Sequence, residues 1–280
     1  MHHWVWNIDP AILRFGRFEI RWYGLLFALG FLLGFQIMTQ IYCSEEREIE
    51  HLSTLIVYLM LGTIIGARLG HVLFYQPDYY FAHSWEIPMV WNGGLASHGG
   101  FIGVILSVYL YLKKHRDMSF IELADRLAIP CFLAAALIRV GNFFNSEIIG
   151  VPSNLPWAVV FPRVDDIPRH PAMLYEAFAY FMIFCALYYA YWKTSIVQFP
   201  GRIIGAALAV GFFARCMIEF VKEDQVPFEK GMPLNMGQIL SIPFILMGLW
   251  LIWASGRGSR RPTTSRPVNS EDSIAKPEHE

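Results

Sequence analysis

Apolar residues in this chain gather in blocks of roughly 20, and this clustering constrains the fold more than any other feature. A helix of that length crosses about 30 Å of hydrocarbon. A soluble domain of 280 residues can bury a large core, so length alone decides nothing. Only 16% of the residues are charged, against about 25% in ordinary soluble domains. Aromatic residues crowd the block ends, where amphipathic rings favour the membrane–water interface. The pattern predicts an all-α, polytopic membrane bundle of seven spans, at 22–41, 52–75, 94–112, 127–143, 173–192, 203–221 and 236–254. The fourth is expected to be the weakest, because Pro130 and Arg139 interrupt it. Gly62, Gly66 and Gly70, and again Gly201 and Gly205, form small-xxx-small patterns that let helices approach closely. No internal repeat is evident, which weighs against an inverted-repeat transporter.

Loop charges set the expected orientation. Lys113, Lys114, Arg116 and Arg126 follow the third span, Lys193 and Arg202 follow the fifth, and Arg257, Arg260, Arg261, Arg266 and Lys276 fill the tail. The segment 76–93 has no Lys or Arg. The expectation is a periplasmic N-terminus and a cytoplasmic C-terminus. Arg14, Arg17 and Arg21 disagree, lying on the predicted outer side as headgroup ligands or interfacial anchors. Residues 1–256 read as one membrane domain, and 257–280, rich in Ser, Pro, Arg and Glu, as a disordered tail. No cleavable signal peptide is visible, so the first span is expected to serve as the insertion signal. A net charge of −1 gives no basic field for nucleic acid. Cys43, Cys131, Cys185 and Cys216 lack metal or CxxC spacing and read as small buried residues.

Charges inside spans carry the chemical information. A central Arg costs at least about 2.5–3.5 kcal/mol to insert, so it faces protein or a wet cavity. Arg68, Arg139, Arg215 and Glu219 are such residues, with His98 near a span start. Arg215 and Glu219, four apart, share a helix face: they pair in cis as a buried brace, or Arg215 binds phosphate while Glu219 orients it. Arg139-Val-Gly-Asn142-Phe-Phe-Asn145-Ser-Glu147 is either a polar helix end or a polar cleft at the outer bilayer face. Ser97-His98-Gly-Gly100 opens the third span. A lone His is usually structural, yet its pKa class suits a base for a thiol. Arg169-His170-Pro171 with Tyr175-Glu176 is a second polar cluster, able to cap the following helix. His3, His51, His71, His83 and His115 read as loop or interface residues with no paired partner in sequence, and no P-loop, GxSxG or HExxH is present.

Taken in order, these clusters resemble the prolipoprotein diacylglyceryl transferase family. The likeness runs from Arg21-Trp-Tyr23-Gly through Gly66-Ala-Arg68-Leu-Gly70, Ser97-His98-Gly-Gly100, Arg139 to Gly150, and Arg169-His170-Pro171 with Leu174-Tyr175-Glu176, to Arg215 and Glu219. The resemblance implies transfer of the diacylglyceryl group of phosphatidylglycerol to the lipobox cysteine of a prolipoprotein, giving a thioether and glycerol 1-phosphate. It implies a seven-span enzyme of the bacterial inner membrane, monomeric, using no metal or organic cofactor. Its site residues map onto His98, Arg139 and Arg215 as catalytic, and onto Arg139, Tyr23, Asn142, Glu147, Gly150 and Glu219 as binding phosphatidylglycerol. Ser146 stands where the family more often has Gly, and Phe101 where Leu is commoner. Without the likeness, an anion transporter lined by Arg139 and Arg215 ranks level with an enzyme, and a structural subunit is third.

Overall fold

The computed structural model describes residues 3–16, 18–90, 93–116, 118–223 and 234–257. Most of them are helical: α1 (Trp22–Ser44), α2 (Ile49–Phe74), the short α3 (Pro77–Ala82), α4 (Ser97–Lys114), α5 (Phe120–Asn145), α6 (Ala172–Lys193), α7 (Arg202–Glu219) and α8 (Met236–Ser255). Each predicted span falls on one of the helices of 18 or more residues. Five of these, α1, α2, α5, α6 and α8, are long and apolar enough to cross a bilayer. The weak ones are α4 and α7, not the fourth span: α4 starts on Ser97-His98 and ends on Lys113-Lys114, and α7 carries Arg202, Arg215 and Glu219. Helix α5 runs unbroken past Pro130. The tail expected at 257–280 lies, beyond Arg257, outside the described residues, as does Arg17.

The chain divides into two compact units, one made of residues 1–38 with 124–280, the other of 39–123. In the second, α2 and α4 meet through glycine. A Cβ on Gly66 would lie 2.4 Å from the Gly99 carbonyl oxygen, and one on Gly103 would lie 2.0 Å from that of Gly62, so only hydrogen fits. In the first unit α7 packs on α8 the same way, with Gly205 against the Gly248 backbone. Gly201 has a different use. It starts α7 at φ 95°, and buried Asp125 of α5 accepts hydrogen bonds from the backbone N–H of Gly201 (2.7 Å) and Ile204 (2.8 Å), capping that helix.

Short strands, absent from the sequence expectation, decorate the first unit. Three of them have two residues, too few for a period-two pattern to register, and the other two have five and four. β1 (Trp4–Val5) runs parallel to β4 (Val159–Val160), which pairs antiparallel with β5 (Pro168–Arg169). This sheet closes over Trp6, Phe143, Ile149, Phe161 and Met173, a small buried core, and the Trp6 indole N–H donates to the Phe143 carbonyl at 2.9 Å. β2 (Ala11–Phe15) and β3 (Phe18–Arg21) form a hairpin whose Arg14 pairs with Asp9 and Glu19, and Arg21 with Glu19, so these arginines are matched within the hairpin itself. Two smaller expectations also change. The cysteines form no disulfide and are not buried: Cys43 and Cys131 lie exposed on helix surfaces, and Cys185 and Cys216 are half-buried. His51 and His115 face each other, with ring centroids 4.4 Å apart, and His71 stacks on Tyr75.

Candidate active site

In the first unit, four ionisable side chains form one buried chain: Arg139 from α5, Glu176 from α6, Glu219 from the end of α7 and Lys222 just beyond it. Arg139 Nε lies 3.0 Å from Glu176 Oε2, Lys222 Nζ 3.5 Å from Glu176 Oε1, and Lys222 Nζ 3.0 Å from Glu219 Oε2. Glu176 is 0% exposed, and Glu219 and Lys222 are also buried. Charge balances along the chain, which is the condition for keeping ions in a poorly hydrated interior. The Arg139–Glu176 approach is an ion contact without hydrogen-bond alignment, since Glu176 Oε2 accepts no hydrogen bond.

Arg139 also reaches away from Glu176. Its Nη1 donates to Asn142 Oδ1 at 3.5 Å, Asn142 Nδ2 donates to Glu147 Oε2 at 3.0 Å, and Asn145 Nδ2 to Glu147 Oε1 at 3.3 Å. Arg139 and Asn142 are one turn apart on α5, while Glu147 sits in the turn after it. Tyr23 of α1 packs where Gly141 has no side chain: a Cβ there would come 2.9 Å from its Cδ2. Its phenol lies in the fields of Glu147 and Arg139. Tyr180, one turn along α6 from Glu176, lies in the fields of Glu176, Arg139 and Arg215 together. Both arginines are thus within electrostatic reach of the Tyr180 phenol.

The cis pairing of Arg215 with Glu219 does not form. Glu219 pairs with Lys222, and its carboxyl packs on Gly237 at the start of α8, where a Cβ would lie 2.5 Å from Cδ. Among the described residues Arg215 makes no ion pair, which leaves a guanidinium available to an anion. The 145–150 turn is tightly bent. Ser146 (φ 58°) and Ile148 (φ 60°) occupy the left-handed region, where glycine is favoured. Gly150 is closely packed by protein. A Cβ would lie 2.5 Å from both the Val221 carbonyl oxygen and His170 Cβ. Gly150 bridges to Lys222, and the Val151 N–H donates to the Val221 carbonyl at 3.0 Å, so the turn and the lysine are held together.

Arg169 and His170 do not cap α6, whose N-cap is Pro171 with no side-chain bond. Arg169 instead bonds Asp165, the Gly150 carbonyl (3.3 Å) and Glu223 (3.3 Å), bracing the same turn. The hydrogen bond from Arg169 holds the Asp165 carboxyl below its usual range. His170 Nδ1 lies 3.1 Å from the Tyr175 hydroxyl.

The structure thus brings together Tyr23, Arg139, Asn142, Glu147, Gly150, Arg215 and Glu219. His98 belongs to the other unit, in the first turn of α4, exposed and without a hydrogen-bond partner among the described residues. Sequence reasoning passed over Glu176 and Lys222 as site residues. Glu176 lies inside the predicted 173–192 span, and that uncounted charge was the signal. Lys222 fell one residue past a predicted span end, where only its i,i+3 spacing from Glu219 pointed to it. Among the described residues no group of three or more His, Cys, Asp or Glu could hold a metal ion. What the arrangement offers is anion binding: one guanidinium, Arg139, held by Glu176 and Asn142, and a second, Arg215, without an ion pair among the described residues.

A family model described as prolipoprotein diacylglyceryl transferase matches residues 10–254. Curated relatives carrying the name phosphatidylglycerol--prolipoprotein diacylglyceryl transferase include one from Tolumonas auensis, 47% identical over 91% of this chain and 99% of its own. Another, from Chloroherpeton thalassium, is 45% identical over 93% and 97%, and one from Porphyromonas gingivalis is 42% identical over 94% and 97%.

Proposed function

Because the chain belongs to the prolipoprotein diacylglyceryl transferase family, we propose that Arg139 and Arg215 hold the phosphate of phosphatidylglycerol while a lipobox cysteine displaces it. The thiolate attacks the carbon of the diacylglycerol moiety that bears the phosphate ester, not that of the headgroup glycerol. A C–S bond forms, the C–O bond breaks, and its electron pair leaves on the phosphate oxygen, giving a thioether and glycerol 1-phosphate. The departing group gains negative charge, so cations fixed beforehand lower the barrier. The thiol ionises from a pKa near 8.5, and His98 takes its proton. Tyr23, Asn142 and Glu147 orient Arg139 and the headgroup, Glu219 holds Lys222 in line, and Gly150 keeps that turn in place. The enzyme works as a monomer in the bacterial inner membrane, crossing it seven times from a periplasmic N-terminus to a cytoplasmic C-terminus. It needs no metal or organic cofactor.

The observation that carries this reading is a guanidinium, Arg139, held by Glu176 and Asn142, with a second, Arg215, that makes no ion pair among the described residues, both acting on the Tyr180 phenol. The test is purified protein in detergent with phosphatidylglycerol and a lipobox-cysteine peptide, and a Cys→Ser peptide as control. Release of glycerol 1-phosphate and a peptide mass gain that need both lipid and thiol are expected. No release from folded protein with several lipids tried would overturn the reading and return the anion-transport alternative.

A further inference from the structure

Arg68 is the other arginine of the spans, and its surroundings are of a different kind. It lies in α2 and is 3% exposed. Its Nε donates to the Ile87 carbonyl at 2.7 Å, Nη2 to that of Glu86 at 2.6 Å, and Nη1 to those of Gly93 and Gly94 at 2.7 and 3.3 Å. The Tyr80 ring covers it at 4.7 Å. All the partners belong to the segment that joins α2 to α4. No carboxylate pairs with it among the described residues, so four carbonyl dipoles and a ring face stabilise the charge in place of a counter-ion. An incoming phosphate would have to displace those carbonyls.

The segment is shaped to fit the guanidinium. Gly93 (φ 85°) and Gly94 (φ 69°) take left-handed backbone, and a Cβ on Gly94 would come 2.8 Å from Arg68 Nη1 and 2.7 Å from His71 Cδ2. The start of α4 is anchored to the same turn of α2. The Ala96 N–H donates to the Ala67 carbonyl at 2.9 Å, and a Cβ on Gly99 would lie 2.2 Å from the Gly66 carbonyl oxygen. These anchors stand two residues before His98 and one after it. No side-chain hydrogen bond orients His98 among the described residues, so its placement comes from this backbone.

We infer that Arg68 is a positioning residue for His98: it fixes the segment before α4, and so the imidazole, and does not touch lipid. This rests on the proposed role of His98 as base. The experiment combines hydrogen–deuterium exchange with kinetics on Arg68→Gln, Arg68→Lys, Gly94→Ala, His98→Ala and the Arg68→Gln/His98→Ala pair. Arg68→Gln should speed exchange over 78–96 by about tenfold or more and leave α5–α8 unchanged. Turnover should fall with KM for phosphatidylglycerol unaltered, and the double variant should be no slower than His98→Ala. Arg68→Lys, which keeps the charge but loses the fork, should fall between. Gly94→Ala loosens the same contact from the segment's side, its methyl crowding Arg68 Nη1 while the arginine itself is kept, and decides the matter if Arg68→Gln does not fold. Unchanged exchange, a raised KM for the lipid, or additive losses in the double variant would each overturn the inference while leaving the base reading intact. A fully active His98→Ala enzyme would remove the base reading, and this inference with it.

Discussion

Arg139 and Arg68 are both arginines in apolar helices, yet their surroundings differ in kind. Arg68 gives its donors to four carbonyls of one segment and is closed to anything else. Arg139 is held on one side by Glu176, reaches Asn142 on another, and keeps 16% of its side chain exposed. A guanidinium in a span is thus not by itself a ligand site. The number of donors left after the protein has used its own share decides which it is. Arg215, without an ion pair among the described residues, sits at the open end of this scale.

That contrast can be broken by substitution. Arg215→Ala should lower turnover by about 10²–10³-fold, the range for removing one preorganised charge donor. It should hardly move Tm, because no buried partner is left behind. An equal fall in Tm in detergent melts would mean that Arg215 is a brace after all. Gly150→Ala forces a methyl against the Val221 and His170 backbone. It should cost about 1–3 kcal/mol of stability and lower activity by separating the 145–150 turn from Lys222. Wild-type melting and turnover would remove that link from the site. Ser146→Gly relieves a left-handed serine, with an expected gain of up to about 1 kcal/mol read from the same melts. The smallest effect concerns pH. The folded pKa of Asp165 is depressed, so its bond to Arg169 contributes above the ordinary carboxylate pKa and is lost as pH falls through the lower folded value. Exchange in the 150–170 segment should rise only in acid, and Asp165→Asn should erase that rise.

The helices were legible because each needs a long apolar block, and Arg139, Asn142 and Glu147 were legible because polar groups at one end of such a block are costly without a use. The network was not. Glu176 gains its meaning from Lys222, 46 residues away, and no local pattern pairs them. The Arg215–Glu219 spacing suggested a cis pair, and Lys222 at i+3 from Glu219 took the carboxylate instead. The packing of Gly150 was not legible either, because the sequence does not reveal that Val221 and His170 close on it from two sides. Strands β1, β4 and β5 escaped because two residues carry no period.

The central claim is that Arg139 grips the phosphate that leaves. Its most direct test is Arg139→Ala in the purified transfer assay, with membrane insertion and folding checked in parallel. The account predicts an inserted protein that releases no glycerol 1-phosphate from phosphatidylglycerol in the presence of the lipobox peptide. Turnover near that of the unaltered enzyme would contradict it.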